Sequence, residues 1–199
     1  MFEYLEFNSL EFRFMEGNVG LRLKTISKDG IPEAISKVEV HRYLNEPEEA
    51  ESICRDILAA DPENQLALRL LGLTLTDQFE GRHSDRYGEA EKIFQGLTNP
   101  YELHYYMGLL LERRAKAQVK SGVTAHILVG SLHEAMRCFE KAEKIRPPHN
   151  DDAMLRWNRC VRLLEELERA PIEETQTTFE DHDTAPTPIT SRRGGRIAK

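Results

Sequence analysis

Three segments of this chain carry one short pattern: a small residue, a larger side chain four positions on, then an apolar or small residue three beyond that. They are Ala50-x-x-x-Cys54-x-x-Ile57, Ala90-x-x-x-Phe94-x-x-Leu97 and Ala135-x-x-x-Phe139-x-x-Ala142. Spacings of three and four put the members of each segment on one face of a helix. A pattern that returns in this way marks a chain of repeats, in which each unit buries its apolar face only by packing on a neighbour. A proline follows every time, Pro62, Pro100 and Pro147, where a turn must end one helix and admit the next.

A partner helix precedes these segments, most visibly in Leu68-Arg69-Leu70-Leu71-Gly72-Leu73 and His104-Tyr105-Tyr106-Met107-Gly108-Leu109. A glycine inside a helix costs about 1 kcal/mol relative to alanine, so Gly72 and Gly108 point to close approach of another helix. Together these positions resemble the tetratricopeptide repeat. Leu71-Gly72 and Met107-Gly108 match the Leu-Gly pair of that family's helix A, and Ala135, Phe139, Ala142 and Pro147 match its helix B. The resemblance spans residues 31–169. It implies an all-α solenoid of about three helix-turn-helix repeats with a C-terminal capping helix.

The departures from that pattern are informative. Ala50 to Ala90 covers forty residues and Ala90 to Ala135 forty-five, against an ideal of about 34. Repeats two and three therefore carry insertions. One is the polar run from Glu80 to Arg86, and the other lengthens helix A of the third repeat through Glu112–Gln118 and adds a link at Ser121-Gly122. The first repeat has Lys37-Val38 where Leu-Gly belongs.

Asp29-Gly30-Ile31-Pro32-Glu33 and Asn45-Glu46-Pro47-Glu48-Glu49 read as helix starts, with a polar residue, an early proline and an acidic first turn. Asp61-Pro62-Glu63-Asn64 reads as a turn between repeats. His149-Asn150-Asp151-Asp152 caps a last amphipathic helix, Ala153 to about Arg169, that covers the open end of the stack. The helical domain is thus expected over residues 30–169. Residues 1–29 form either a hairpin about Gly17-Asn18 or an unordered arm. Residues 170–199, rich in Thr and Pro and ending in Arg192-Arg193-Gly194-Gly195-Arg196, form a disordered tail.

The resemblance implies a concave groove lined by the A helices, where such proteins take an extended peptide or a helix. By register its lining is Arg69, Leu73, Thr76 and Asp77 from repeat two, with Tyr105, Leu109, Glu112 and Lys116 from repeat three. Some tetratricopeptide domains clamp a terminal carboxylate with Lys and Asn side chains. Ile35, Glu39, Leu70, Glu102 and Tyr106 stand at those places here, which disfavours a chaperone's acidic C-terminus as ligand. Glu112-Arg113-Arg114-x-Lys116 offers cations for an acidic or phosphate group, but Glu112 and Lys116 are also spaced for a solvated ion pair along one helix, and that reading is preferred.

The formal charge of -7 and pI near 5.6 disfavour nucleic acid, which needs a clustered basic face; a weak RNA contact through the arginine-rich tail is the remaining alternative. Acidic residues in Met1-Phe2-Glu3-Tyr4-Leu5-Glu6 and the lack of an apolar run argue against export and membrane insertion. Cys54, Cys138 and Cys160, an odd number at wide spacing, fit buried thiols in a reducing cytoplasm. The scattered histidines suggest no metal site, and no motif suggests a cofactor or a catalytic nucleophile. The expected role is therefore a cytoplasmic adaptor or scaffold whose partner is another protein, with homo-oligomerisation left open. The alternatives are a secretion-type or assembly chaperone using the same groove and an all-helical enzyme.

Overall fold

In the computed structural model, residues 21–80, 86–121 and 125–169 are described. After an irregular lead, Ser27 caps a single 3-10 turn, Lys28–Gly30, its hydroxyl accepting from the Gly30 amide at 3.2 Å. Seven α-helices follow: α1 Ile31–Tyr43, α2 Pro47–Ala60, α3 Gln65–Asp77, α4 Arg86–Gln95, α5 Pro100–Lys120, α6 Ala125–Lys144 and α7 Asp152–Arg169. The described residues contain no strand, and the fold is all-α. The hairpin considered about Gly17-Asn18, the tail and most of the polar run after Glu80 lie outside the described residues.

Prolines open three of the helices from their first turn, α1, α2 and α5, where no intrahelical N–H is lost. The side-chain caps differ from the sequence expectation. Neither Gly30 nor Glu46 caps its helix through a side chain. Asn64 and Asn99 do so, accepting from the amides of Ala67 at 3.0 Å and Tyr101 at 2.9 Å. Asn150, within the expected capping run, accepts from the Asp152 amide at 2.9 Å and from the Tyr101 hydroxyl at 2.9 Å. The start of α7 is thereby tied to the start of α5.

Each helix packs on the next, and each odd-numbered helix also touches the following odd-numbered one: α1 on α3, α3 on α5, α5 on α7. Five polar contacts share a nearly constant offset. Arg42–Asp77, Arg55–Glu89, Arg69–Glu102, Glu51–Arg86 and Gln65–Thr98 join residues 33 to 35 positions apart. The insertions fall between the two helices of a pair. The odd-numbered helices therefore keep a nearly constant spacing, with Val38, Gly72 and Gly108 at matching places. In the third pair the insertion adds turns to both helices, making α5 21 and α6 20 residues long.

The repeated pattern has a direct physical meaning. A Cβ on Gly72 would lie 2.3 Å from Phe94 Cε1, and one on Gly108 would lie 2.7 Å from Phe139 Cε1. Each ring of an even-numbered helix thus rests on the bare backbone of the odd-numbered helix before it. Both phenylalanines are fully buried. Phe94 also stacks on Tyr106 of α5 at 5.4 Å, and Phe139 meets Tyr105 at 5.9 Å. The first pair inverts the sizes: Val38 takes the glycine place and Cys54 the phenylalanine place, both buried in the same cluster.

Two glycine substitutions separate packing from propensity. Gly72→Ala gains about 1 kcal/mol of helix propensity, but its methyl meets a ring held between two helices, where overpacking costs about 1–3 kcal/mol or more. A net loss and a Tm several degrees lower are expected. Gly130→Ala, with nothing within 4 Å of the new methyl, should raise Tm. Calorimetric melts of both variants check this, and a Gly72→Ala protein as stable as the parent contradicts it.

Candidate protein-binding groove

The ends of α1 and α3 meet the C-terminal half of α5 around a cleft of about 310 Å³. Arg42 and Asn45 reach it from the end of α1, Thr76, Asp77, Phe79 and Glu80 from the end of α3, and Arg113, Lys116 and Ala117 from α5. Asn45 holds a left-handed backbone, φ 59°, a conformation that asparagine tolerates better than most side chains. Phe79 supplies the apolar wall and leans on Tyr87 with centroids 6.3 Å apart.

Asp77 is the centre of the cleft's charge. Its Oδ2 accepts from Arg42 Nε at 2.8 Å, and its Oδ1 accepts from Arg113 Nη1. The same Arg113 nitrogen donates to Thr76 Oγ1 at 2.6 Å and approaches the Leu73 carbonyl at 3.4 Å. The Thr76 hydroxyl is fixed in turn by donating to that carbonyl at 2.7 Å. One carboxylate therefore holds two guanidinium groups from the helices on either side of it. Those arginine side chains are only 20% and 25% exposed, so water screens them less than it would a surface pair.

Of the groove residues read from sequence, Thr76, Asp77 and Lys116 line this cleft, and Leu73 lends it a backbone carbonyl. Arg69 lies elsewhere, paired with Glu102 at 2.7 Å. Three expectations need correction. Leu109 is a core residue at 2% exposure, because it lies on the inward face of α5. Tyr105 belongs to an aromatic cluster, 5.8 Å from Tyr101 and 5.1 Å from Tyr106, packed with the α7 core. Glu112 does pair with Lys116 along the helix, but the pair is not solvated: Glu112 is 0% exposed. Arg156 of α7 approaches it at 3.5 Å, and its Oε2 has no hydrogen-bond partner.

Arg42, Asn45, Phe79, Glu80 and Ala117 were missed, and Arg113 was passed over in favour of the ion pair beside it. The signal was present in the helix-A period: Arg42, Asp77 and Arg113 stand 35 and 36 positions apart, which stacks them on adjacent helices.

A second ionic cluster lies between α2 and α4. Glu51 Oε1 accepts from Arg55 at 2.6 Å and Arg86 at 2.7 Å, its Oε2 accepts from Gln78 at 2.9 Å, and Arg55 also reaches Glu89 at 2.8 Å. Two acids here meet two bases, and both Glu51 oxygens are satisfied. Burial pushes the Glu51 carboxyl up, but the Gln78 amide and the Arg55 and Arg86 guanidinium groups outweigh it and hold it below its ordinary value.

Reactive chemistry finds little support in the thiols. Burial pushes Cys54 and Cys160 up to about 12 and moves Cys138 in the same direction, which disfavours the thiolate that nucleophilic or metal-binding cysteines need. Among the described residues no three His, Cys, Asp or Glu side chains converge as a metal site would require, and no helix is long and apolar enough to cross a membrane. No family model and no curated protein matches the chain.

The Glu51 cluster sets a pH dependence. A carboxyl with a depressed folded-state pKa contributes stability that is complete above its unfolded value, near 4.5, and is lost as pH falls through the lower folded value. Glu51→Gln should cost about 1–3 kcal/mol at neutral pH and flatten the acid limb of the stability curve. Denaturant melts from neutral to acid pH test this, and superimposable curves for the two proteins contradict it.

Proposed function

We propose that the chain is a tetratricopeptide-type interaction module, a short solenoid whose odd-numbered helices present a groove to a segment of another protein. Its mechanism on this reading is binding, not chemistry. The observation that carries it is the cleft where α1, α3 and α5 meet, with Arg42, Asp77 and Arg113 brought from three successive odd-numbered helices into one hydrogen-bonded array. The glycine–phenylalanine contacts and the near-constant offset of five polar contacts support the repeat assignment. A cleft of this volume lies at the small end of the range for ligand sites, which suits one or two side chains of a longer segment better than a large cofactor. The three free cysteines suit a reducing compartment such as the cytoplasm.

Site-directed photocrosslinking in the native cell tests this reading. A benzophenone side chain in place of Ala117, at the cleft, should capture a discrete partner protein. The same probe in place of Glu134, exposed on α6, should not. Equal capture from both positions, or none from either, contradicts a groove-binding role.

A further inference from the structure

The ionic groups on the odd-numbered helices do not balance as those between α2 and α4 do. Asp77 carries one negative charge against Arg42 and Arg113. Glu112 carries one against Lys116 and Arg156. Two carboxylates thus serve four cations, in a chain whose formal net charge is -7. At the Asp77 array the surplus lies beside open space, because Arg42 and Arg113 line the cleft and the second acid of its lining, Glu80, is already paired with Lys120 at 2.6 Å. Asp77 engages Nε of Arg42 and one Nη of Arg113, so both Nη groups of Arg42, with Nε and Nη2 of Arg113, have no hydrogen-bond partner among the described residues. Partly desolvated cations with unused donors are costly to maintain alone and favour an added anion.

We propose that this cleft binds the side-chain carboxylate of an acidic segment in a partner protein, seated on the unused N–H groups of Arg42 and Arg113. The proposal rests on the groove reading and names the chemistry of its ligand. A carboxylate matches both the forked donor geometry of arginine and a surplus of a single charge at this array. Asp77 and Thr76 hold the guanidinium groups in place before the ligand arrives, which reduces the entropy lost on binding. Lys116, paired with Glu112, and Glu80, paired with Lys120, stand at the edge of the same lining, and Phe79 gives an apolar wall for the residue next to the acid.

Selection of short random peptides from a displayed library on the full chain tests this. Selected peptides should be enriched in Asp or Glu at one position. Exchanging that residue for its amide, or Arg113→Gln in the protein, should each weaken binding at least about tenfold. The two changes together should cost little more than either alone. Circular dichroism melts verify folding, and Arg42→Gln is the second variant. Selected peptides without an acidic position, or bound equally by Arg113→Gln and Arg42→Gln, overturn this inference and leave the groove reading intact. Weakening by a C-terminal amide, with no effect of the side-chain exchange, overturns it in favour of a terminal carboxylate. A phosphoserine that binds where glutamate binds no better than glutamine overturns it in favour of a phosphopeptide. Failure to select any peptide overturns both readings.

Discussion

Phe94 rests on the bare backbone of Gly72 and on the ring of Tyr106, and Phe139 takes the corresponding place beside Gly108 and Tyr105. No side chain larger than hydrogen fits at either glycine without displacing a buried ring. This close approach sets the separation of the two helices in a pair. The stacking of Phe94 on Tyr106 ties the second pair to α5, the helix that follows, whereas Tyr105 meets Phe139 from within the third pair. The odd-numbered helices are thereby held in succession, and side chains one period apart come within hydrogen-bonding distance of one another. The array of Arg42, Asp77 and Arg113 depends on that alignment. A shift of one helix by a fraction of a turn would carry Asp77 out of reach of one of its arginines.

The two ionic clusters show how differently charge is used on the two sides of the helix pairs. Between α2 and α4, Glu51 and Glu89 meet Arg55 and Arg86, and Gln78 completes the hydrogen bonding of Glu51. Such a cluster is saturated, and its physical consequence is cohesion. Along the odd-numbered helices cations outnumber the carboxylates that hold them, and one group of them faces a cleft. The buried Glu112 also departs from saturation, with one oxygen unpartnered although Lys116 and Arg156 are close. Glu112 itself is fully buried, and of its partners Lys116 reaches the lining of the neighbouring cleft.

The helices and their pairing were legible in the sequence because the residues that matter are few and chemically extreme: glycine inside a helix, phenylalanine opposite it, and proline at the turns. The first pair was harder to read, since Val38 and Cys54 exchange the sizes found at Gly72 and Phe94 and so hide the pattern. The site was legible only in part. Asp77, Thr76 and Lys116 lie where register puts them. Leu109, Tyr105 and Glu112 do not, because the inward face of α5 and the packing of α7 against it decide their burial, and spacing along a single helix carries no information about either. Arg42 was overlooked because its partner lies on another helix, and only the period between successive odd-numbered helices connects the two.

The most direct test of the account is a nuclear magnetic resonance titration of the isotope-labelled full chain with an acidic peptide selected on it. The account predicts shifts concentrated on the side-chain resonances of Arg42 and Arg113 and on the amides of Asn45, Thr76, Asp77 and Ala117, with the exposed faces of α2, α4 and α6 unchanged. Shifts confined to those outer faces, or spread evenly over the surface, would contradict it.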